Sequence, residues 1–185
     1  HEQAAGHMAD AYFRVAHHPV ATLTSCGPGS TNLLTALASA MMDSSAMLAI
    51  TGNVPTSQFN RAPFQETGRH FQAEFPNVMR PYVKKAFQPT RVEMLPVTLR
   101  QAFKTMLTGR PGPVGIDVPL NCFAEEAEVE VPEPGLWRQG IRSGGSGTTE
   151  SAEQALEMLL ATEKPCILAG NGAMISEAGK EIQKL

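Results

Sequence analysis

The stretch Val20-Ala21-Thr22-Leu23-Thr24-Ser25-Cys26-Gly27-Pro28-Gly29-Ser30-Thr31-Asn32 decides the fold. Residues 20–24 read as a short strand, bounded by Pro19 before it and Gly27-Pro28-Gly29 after it. Beyond the turn, Leu33, Leu34, Leu37, Ala38 and Met41 recur at helical spacing, with Ser30 or Thr31 as the expected N-cap. The unit is strand, glycine turn, helix. Residues 47–51 follow as an apolar run stopped by Gly52, the pattern of a strand buried on both faces. Upstream, Ala4, Met8, Ala11, Tyr12 and Val15 give residues 3–15 the apolar face of an amphipathic helix. Downstream, residues 82–87 read as a further strand, and Val92, Leu95, Leu99, Phe103 and Met106 mark a helix. Arg110-Pro111-Gly112-Pro113 then shapes the entry into a strand over 114–118. Strands that alternate with helices pair in parallel and carry helices on both faces. The expected fold class is therefore α/β, a doubly wound parallel sheet flanked by helices.

The remaining segments set the organisation. Residues 52–69 have no clear period, and a structureless loop of that length is usually functional or disordered. Residues 121–148 have linker composition, acidic and Pro-rich first and then Ser143-Gly144-Gly145-Ser146-Gly147. A second α/β pattern follows: a helix over 151–161, a strand over 166–169, Gly170-Asn171-Gly172 and another helix. The chain opens at His1 without a methionine and closes inside a helical pattern, so both ends read as artificial boundaries.

Composition excludes several classes. With 185 residues, 42% hydrophobic and 18% charged, the chain is globular and long enough for one domain and part of a second. A net charge of −3 gives no electrostatic case for a nucleic-acid partner. No apolar run approaches the roughly 20 residues that span a bilayer, and no signal-peptide pattern opens the chain. Cys26, Cys122 and Cys166 are odd in number and lack metal-ligand spacing, so they read as reduced and buried, which suits the cytoplasm. His17 and His18 read as solvated, Asp43 as a helix terminator, and Met41-Met42 as core.

Five motifs go further than periodicity. His1-Glu2-Gln3-Ala4-Ala5-Gly6-His7-Met8-Ala9-Asp10 is followed by Ser25-Cys26-Gly27-Pro28-Gly29-Ser30-Thr31-Asn32, Ile50-Thr51-Gly52-Asn53-Val54-Pro55, Phe64-Gln65-Glu66-Thr67 and Gly109-Arg110-Pro111-Gly112-Pro113-Val114. Each is weak alone, since Gly-Pro-Gly is simply a turn. In this order and spacing they resemble the thiamine-diphosphate-dependent enzymes of the acetolactate synthase large-subunit type. The resemblance covers essentially the whole chain, because residues 164–173 look like the opening of that family's middle domain.

The resemblance implies a pyrimidine-binding domain over 1–120 that lacks its first strand and helix, a linker over 121–148, and a truncated middle domain over 149–185. Glu2 matches the catalytic glutamate, whose carboxyl bonds to the cofactor's aminopyrimidine and helps it remove the weakly acidic thiazolium proton. Burial is expected to hold the proton on that carboxyl more tightly. Read without the resemblance, Glu2 is a solvated glutamate near a chain end. Ser25, Gly27, Pro28, Gly29 and Asn32 match the cofactor-binding turn, at the edge where open α/β sheets bind ligands. Phe64, Gln65 and Pro55 match the substrate channel, with Phe64 as an apolar wall and Gln65 as a donor; for Pro55 turn geometry is the competing role. The cofactors implied are thiamine diphosphate and Mg²⁺, the metal's ligands lying on a domain outside this chain, with FAD admitted by the acetolactate synthase resemblance. The implied partners are a small 2-keto acid and further copies of the chain, a homodimer or homotetramer with the site at the subunit interface.

The implied reaction is 2-keto-acid decarboxylation and carboligation, pyruvate to acetolactate, with this fragment inactive alone. Three departures bear on the substrate. Pro119-Leu120-Asn121-Cys122 stands where acetolactate synthases read PKDV, Lys84-Lys85-Ala86 where they read KHN, and Cys26 is added inside the turn. The alternatives are a thiamine-diphosphate decarboxylase or benzaldehyde-lyase-type enzyme, and, from another class, a non-catalytic binding or assembly domain on the same fold.

Overall fold

A computed structural model describes residues 1–61, 74–136 and 147–185. Four strands, β1 (Ala21–Thr24), β2 (Leu48–Asn53), β3 (Ala86–Phe87) and β4 (Val114–Pro119), form one sheet in the order β1-β2-β4-β3, every neighbouring pair parallel. The expected α/β architecture is present. Parallel strands need crossovers, and helices supply them: α1 (Glu2–Ala16) precedes the sheet, α2 (Pro28–Asn32) and α3 (Leu34–Met42) join β1 to β2, and α5 (Leu95–Leu107) joins β3 to β4.

The pleat divides the core in two. Met47 and Ala49 face Leu33, Leu37 and Ala40 of the α2–α3 segment together with Phe75 and Met79 of α4 (Phe75–Met79). Leu48, Val114, Ile116 and Val118 face Ala102 and Met106 of α5 and Cys122 of α6 (Leu120–Ala124). All six residues of β4 are buried, which explains its near-continuous apolar run. β1 lies at the sheet edge, and its Leu23 is exposed on the face opposite Thr22 and Thr24.

Helix α1 differs from the expectation in a way that matters for the site. The residues at helical spacing, Ala4, Met8, Ala11, Tyr12 and Val15, turn outward, and Val15 is 86% exposed. The buried seam is Gly6, Ala9, Asp10 and Phe13. Its physical cause is contact at a glycine: a Cβ on Gly6 would stand 2.5 Å from the Ala36 Cβ and 2.7 Å from Leu33 Cδ1. Small residues let the two helices approach, and a hydropathy pattern weighted toward large side chains picks the other face. At the far end of α1, Asp10 receives Arg14 through two bonds of 3.0 and 2.9 Å, and Arg14 reaches Asp43 at 2.6 Å. Burial pushes the Asp10 carboxyl up, but donation from Arg14 and Ser45 outweighs it, and the net direction is down.

Several boundaries also differ. The helix after the turn starts at Pro28 with Gly27 as its N-cap, so Ser30 and Thr31 lie inside its first turn. There Ser30 Oγ donates to the Ser25 carbonyl at 2.6 Å and Thr31 Oγ1 to that of Pro28 at 3.0 Å. The strand expected over 82–87 is only two residues long. Residues 166–169 form no strand: among the described residues nothing pairs with them, and Leu168 is 97% exposed. Cys166 is exposed and Cys26 half-buried, contrary to expectation; Cys122 is buried. His17 is half-buried and ends α1 in the left-handed conformation, while His18 is exposed. Helices α7 (Thr149–Leu160), α8 (Asn171–Ile175) and α9 (Gly179–Ile182) complete the chain, and Asn171 Nδ2 donates to the Asp43 carbonyl at 3.0 Å.

At the C-terminal edge of the sheet one carboxylate is fully buried. Asp117 of β4 receives Thr51 Oγ1 at 2.8 Å, Asn53 Nδ2 at 2.5 Å and Gln88 Nε2 at 2.8 Å. Burial raises its pKa above the ordinary 3.8, and the three donors only partly offset this.

Two predictions follow from these contacts. Replacing Gly6 by Ala gains helix propensity, about 1 kcal/mol, but overpacks a fixed backbone contact at a cost of roughly 1–3 kcal/mol. Urea denaturation is expected to show a net loss of stability; a gain would mean that α1 shifts freely on α3. For Asp117, a folded pKa raised above the unfolded 3.8 favours the folded state fully below that value, and the contribution is lost as pH rises through the folded pKa. The stability difference, wild type minus Asp117→Asn, should therefore fall as pH rises from 3.8 toward neutrality. A flat difference would rule out a raised pKa.

Candidate cofactor site

Two elements build the site, the start of α1 and the turn after β1. Gly27 has φ 65°, a left-handed value that favours glycine, and it turns the strand into Pro28 at the first helical position. Gly29 lies beneath the Glu2 carboxylate: a Cβ there would stand 3.3 Å from Glu2 Oε1 and 3.4 Å from the Ser25 Cβ. Asn32 Nδ2 donates to Glu2 Oε2 at 3.1 Å. The packing of α1 on α3 at Gly6, one turn along, carries Glu2 to this place. His1 caps α1 by accepting the Gln3 amide at 3.3 Å on Nδ1, and an acid in the first turn suits the helix's positive end.

The structure thus brings Glu2, Ser25, Gly29 and Asn32 together, with Gly27 and Pro28 shaping the turn beneath them. Glu2 and Asn32 are half-buried, Gly27 and Gly29 buried, Ser25 and Pro28 exposed. One expectation is corrected. The Glu2 carboxyl lies below its ordinary value, first because Asn32 donates to it and next because a backbone amide does. Desolvation acts the other way and is outweighed, because these elements cover only one side of the group.

Pro55 is half-buried in the loop after β2 and precedes the 3₁₀ turn Thr56–Gln58. Phe64 and Gln65 lie outside the described residues. The positions that depart from the acetolactate synthase pattern have local work. Asn121 Oδ1 accepts the Thr56 amide at 2.9 Å. Lys84 Nζ donates to the carbonyls of Thr108 and Arg110, both at 2.8 Å, and its burial lowers its pKa. Lys85 lies over the Phe87 ring at 4.7 Å. The Asp117 cluster was not singled out from the sequence, although an acid in the middle of Val114-Gly115-Ile116-Asp117-Val118, a run read as a strand, is a readable signal. Among the described residues no group of three or more His, Cys, Asp or Glu stands close enough to hold a metal ion, and no helix is long and apolar enough to cross a membrane.

Comparison with known proteins agrees with this geometry. Residues 1–74 match the family described as thiamine pyrophosphate enzyme, N-terminal TPP binding domain. The whole chain is 37% identical over 187 residues to a probable acetolactate synthase large subunit of Methanocaldococcus jannaschii, covering 31% of that protein. It is 33% identical over 189 residues to the acetolactate synthase isozyme 3 large subunit of Escherichia coli, again covering 31% of it. The chain therefore spans about a third of the length of the curated relatives it matches. Among solved structures, the thiamine diphosphate-dependent 4-hydroxybenzoylformate decarboxylase of Rhodococcus jostii RHA1 superposes with a TM-score of 0.79 over 98% of this chain and 33% of that one; at 23% identity this shows a shared fold. Residues 1–74 match the N-terminal cofactor-binding domain of the thiamine pyrophosphate enzymes, and the chain throughout its length is similar to acetolactate synthase large subunits.

Proposed function

We propose that this chain supplies the aminopyrimidine side of a thiamine-diphosphate site, in a protein that decarboxylates a 2-keto acid and joins the product to a second carbonyl, as acetolactate synthases join two pyruvates. The observation that carries this reading is the Glu2 carboxylate above the glycine turn with Asn32 on one oxygen. The residues fit the group: Gly29 leaves open the space that a Cβ would fill, and one side of the carboxylate faces away from the protein.

When bound, the cofactor supplies a nucleophilic carbon and an electron sink. Glu2 would be the catalytic residue, its carboxyl the group that bonds the pyrimidine. Asn32 fixes the carboxyl's orientation through the oxygen it holds, and Ser25, Gly27, Pro28 and Gly29 would hold the cofactor beside it. A flat apolar group laid over Glu2 adds desolvation, opposite in direction to the bond from Asn32, and moves the carboxyl toward holding a proton. Pro55 belongs to the approach of the substrate, and the same family resemblance gives this role to Phe64 and Gln65.

The same reading takes residues 1–120 as the pyrimidine-binding domain, 121–148 as linker and 149–185 as the beginning of a middle domain. Mg²⁺ with the diphosphate then belongs to a domain outside this chain, and FAD between domains follows the acetolactate synthase resemblance. The outward stripe of Met8, Tyr12 and Val15 supports a homodimer or homotetramer, since so much apolar surface on one helix suits a covered face. A cytoplasmic location follows from the same resemblance.

Product analysis with pyruvate, using the full-length protein, tests the reaction. Acetolactate is expected; acetaldehyde alone would move the protein to the simple decarboxylases. Glu2→Gln keeps the side chain's shape and its bond partner but cannot exchange a proton, and is expected to lower kcat by about 10²–10⁴-fold. Full turnover in that variant would sink the assignment of Glu2.

A further inference from the structure

Asp117 is the one charged side chain among the described residues with no exposed surface. Its strand is already paired through the main chain to β2, with Asp117 opposite Thr51. An apolar residue would avoid the several kcal/mol of desolvation that a buried carboxylate costs before compensation. The compensation comes from three donors that lie at the C-terminal edge of the sheet: Thr51 and Asn53 from the end of β2, and Gln88 from just beyond β3. Two of them flank Gly52.

Gly52 is where β2 meets the cofactor turn. A Cβ there would lie 3.5 Å from the Cys26 amide nitrogen and 3.5 Å from the Thr24 carbonyl oxygen, so the turn stands no further from the strand end than one side-chain atom would fill. The turn in turn carries Gly29 under Glu2. On its other side the strand end controls a loop. Asn53 donates to Asp117 through Nδ2 and accepts the Val54 amide at 2.8 Å through Oδ1. Asn121, four residues after Asp117, accepts the Thr56 amide at 2.9 Å. Pro55 is held between these two tethers.

We propose that Asp117 is a positioning residue for the cofactor site: by holding Thr51 and Asn53 it seats the end of β2 against the turn at residues 25–29 and fixes the loop at 54–56. The inference rests on the function proposed above. A bistable element is not required; a small displacement of Gly52 shifts the floor under Glu2, and misplacement of a catalytic group by a fraction of an ångström lowers its effectiveness steeply.

The test uses the full-length protein, with initial rates measured against thiamine diphosphate concentration at fixed Mg²⁺ and saturating pyruvate. Thr51→Val removes one donor and keeps the shape; Asp117→Asn keeps the shape and loses acceptor capacity. Met106→Ala, in α5 and packed on the face of β4 opposite the one Asp117 occupies, reports what simple loss of stability does. The two cluster variants are expected to raise the half-saturating cofactor concentration about tenfold, with a smaller fall in kcat at saturation, while Met106→Ala lowers the melting temperature and leaves half-saturation within about twofold. Cluster variants that lower the melting temperature without moving half-saturation would overturn the proposal, and so would variants that change neither. Should Asp117→Asn fail to fold, Thr51→Val decides alone. A wild type indifferent to thiamine diphosphate would sink the functional reading and this inference with it; a dependent wild type, an inactive Glu2→Gln and unmoved cluster variants would sink this inference only.

Discussion

The contact of α1 with α3 at Gly6 is the constraint on which the rest depends. At 2.5 Å from the Ala36 Cβ, the space for a Gly6 side chain is already taken, so the helix lies as close to its neighbour as two backbones with small residues allow. Glu2 is four residues before Gly6 on the same face, and the helix delivers it onto the turn beyond β1. The clamp of Asp10, Arg14 and Asp43 at the other end stops the helix from sliding along its axis. Register along α1 and depth against α3 are thus set separately, one by charge and one by the missing Cβ. Both are needed, since a helix displaced by half a turn would aim its first residue away from Gly29.

This arrangement also explains what was legible in the sequence. Strand runs such as 47–51 and 114–118 are mostly apolar, broken only by Thr51 and Asp117, and end at Gly52 and Pro119; the order of elements followed from them. The glycine turn declared itself because a left-handed residue needs Gly27 and a first helical position suits Pro28. The inner face of α1 did not, because its seam of Gly6, Ala9, Asp10 and Phe13 holds a single large apolar residue while Met8, Tyr12 and Val15 carry the outward hydropathy. Pattern reading assumes that a large apolar residue faces the core of its own chain. A helix that presents such residues outward breaks the assumption. Residues 166–169 failed for a related reason: a four-residue apolar run forms a strand only when a neighbour offers a hydrogen-bonding edge.

Of the site, the positions fixed by backbone geometry were readable and those fixed by tertiary hydrogen bonds were not. Glu2, Gly27, Gly29 and Asn32 stand together as the motif spacing implied. Thr51, Asn53 and Gln88 converge on Asp117 from positions 66, 64 and 29 residues away, and no local pattern announces such a convergence. The downward shift of the Glu2 carboxyl is hidden from the sequence on the same grounds, because desolvation depends on what lies on every side of the group and not on residue type.

The two carboxyls at this edge of the sheet show why that distinction matters. Glu2 is held by one side-chain amide and a backbone amide, is open on one side, and is shifted down; Asp117 is held by three donors, is closed, and is shifted up. More hydrogen bonds therefore accompany the group that is shifted up, because complete burial costs more than three neutral donors return. A group in that state can bear structure but cannot meet a ligand. The half-open carboxylate is the reverse: its proton affinity is still adjustable by whatever covers it. This edge of the domain thus holds one carboxyl whose surroundings are complete and one whose surroundings are not.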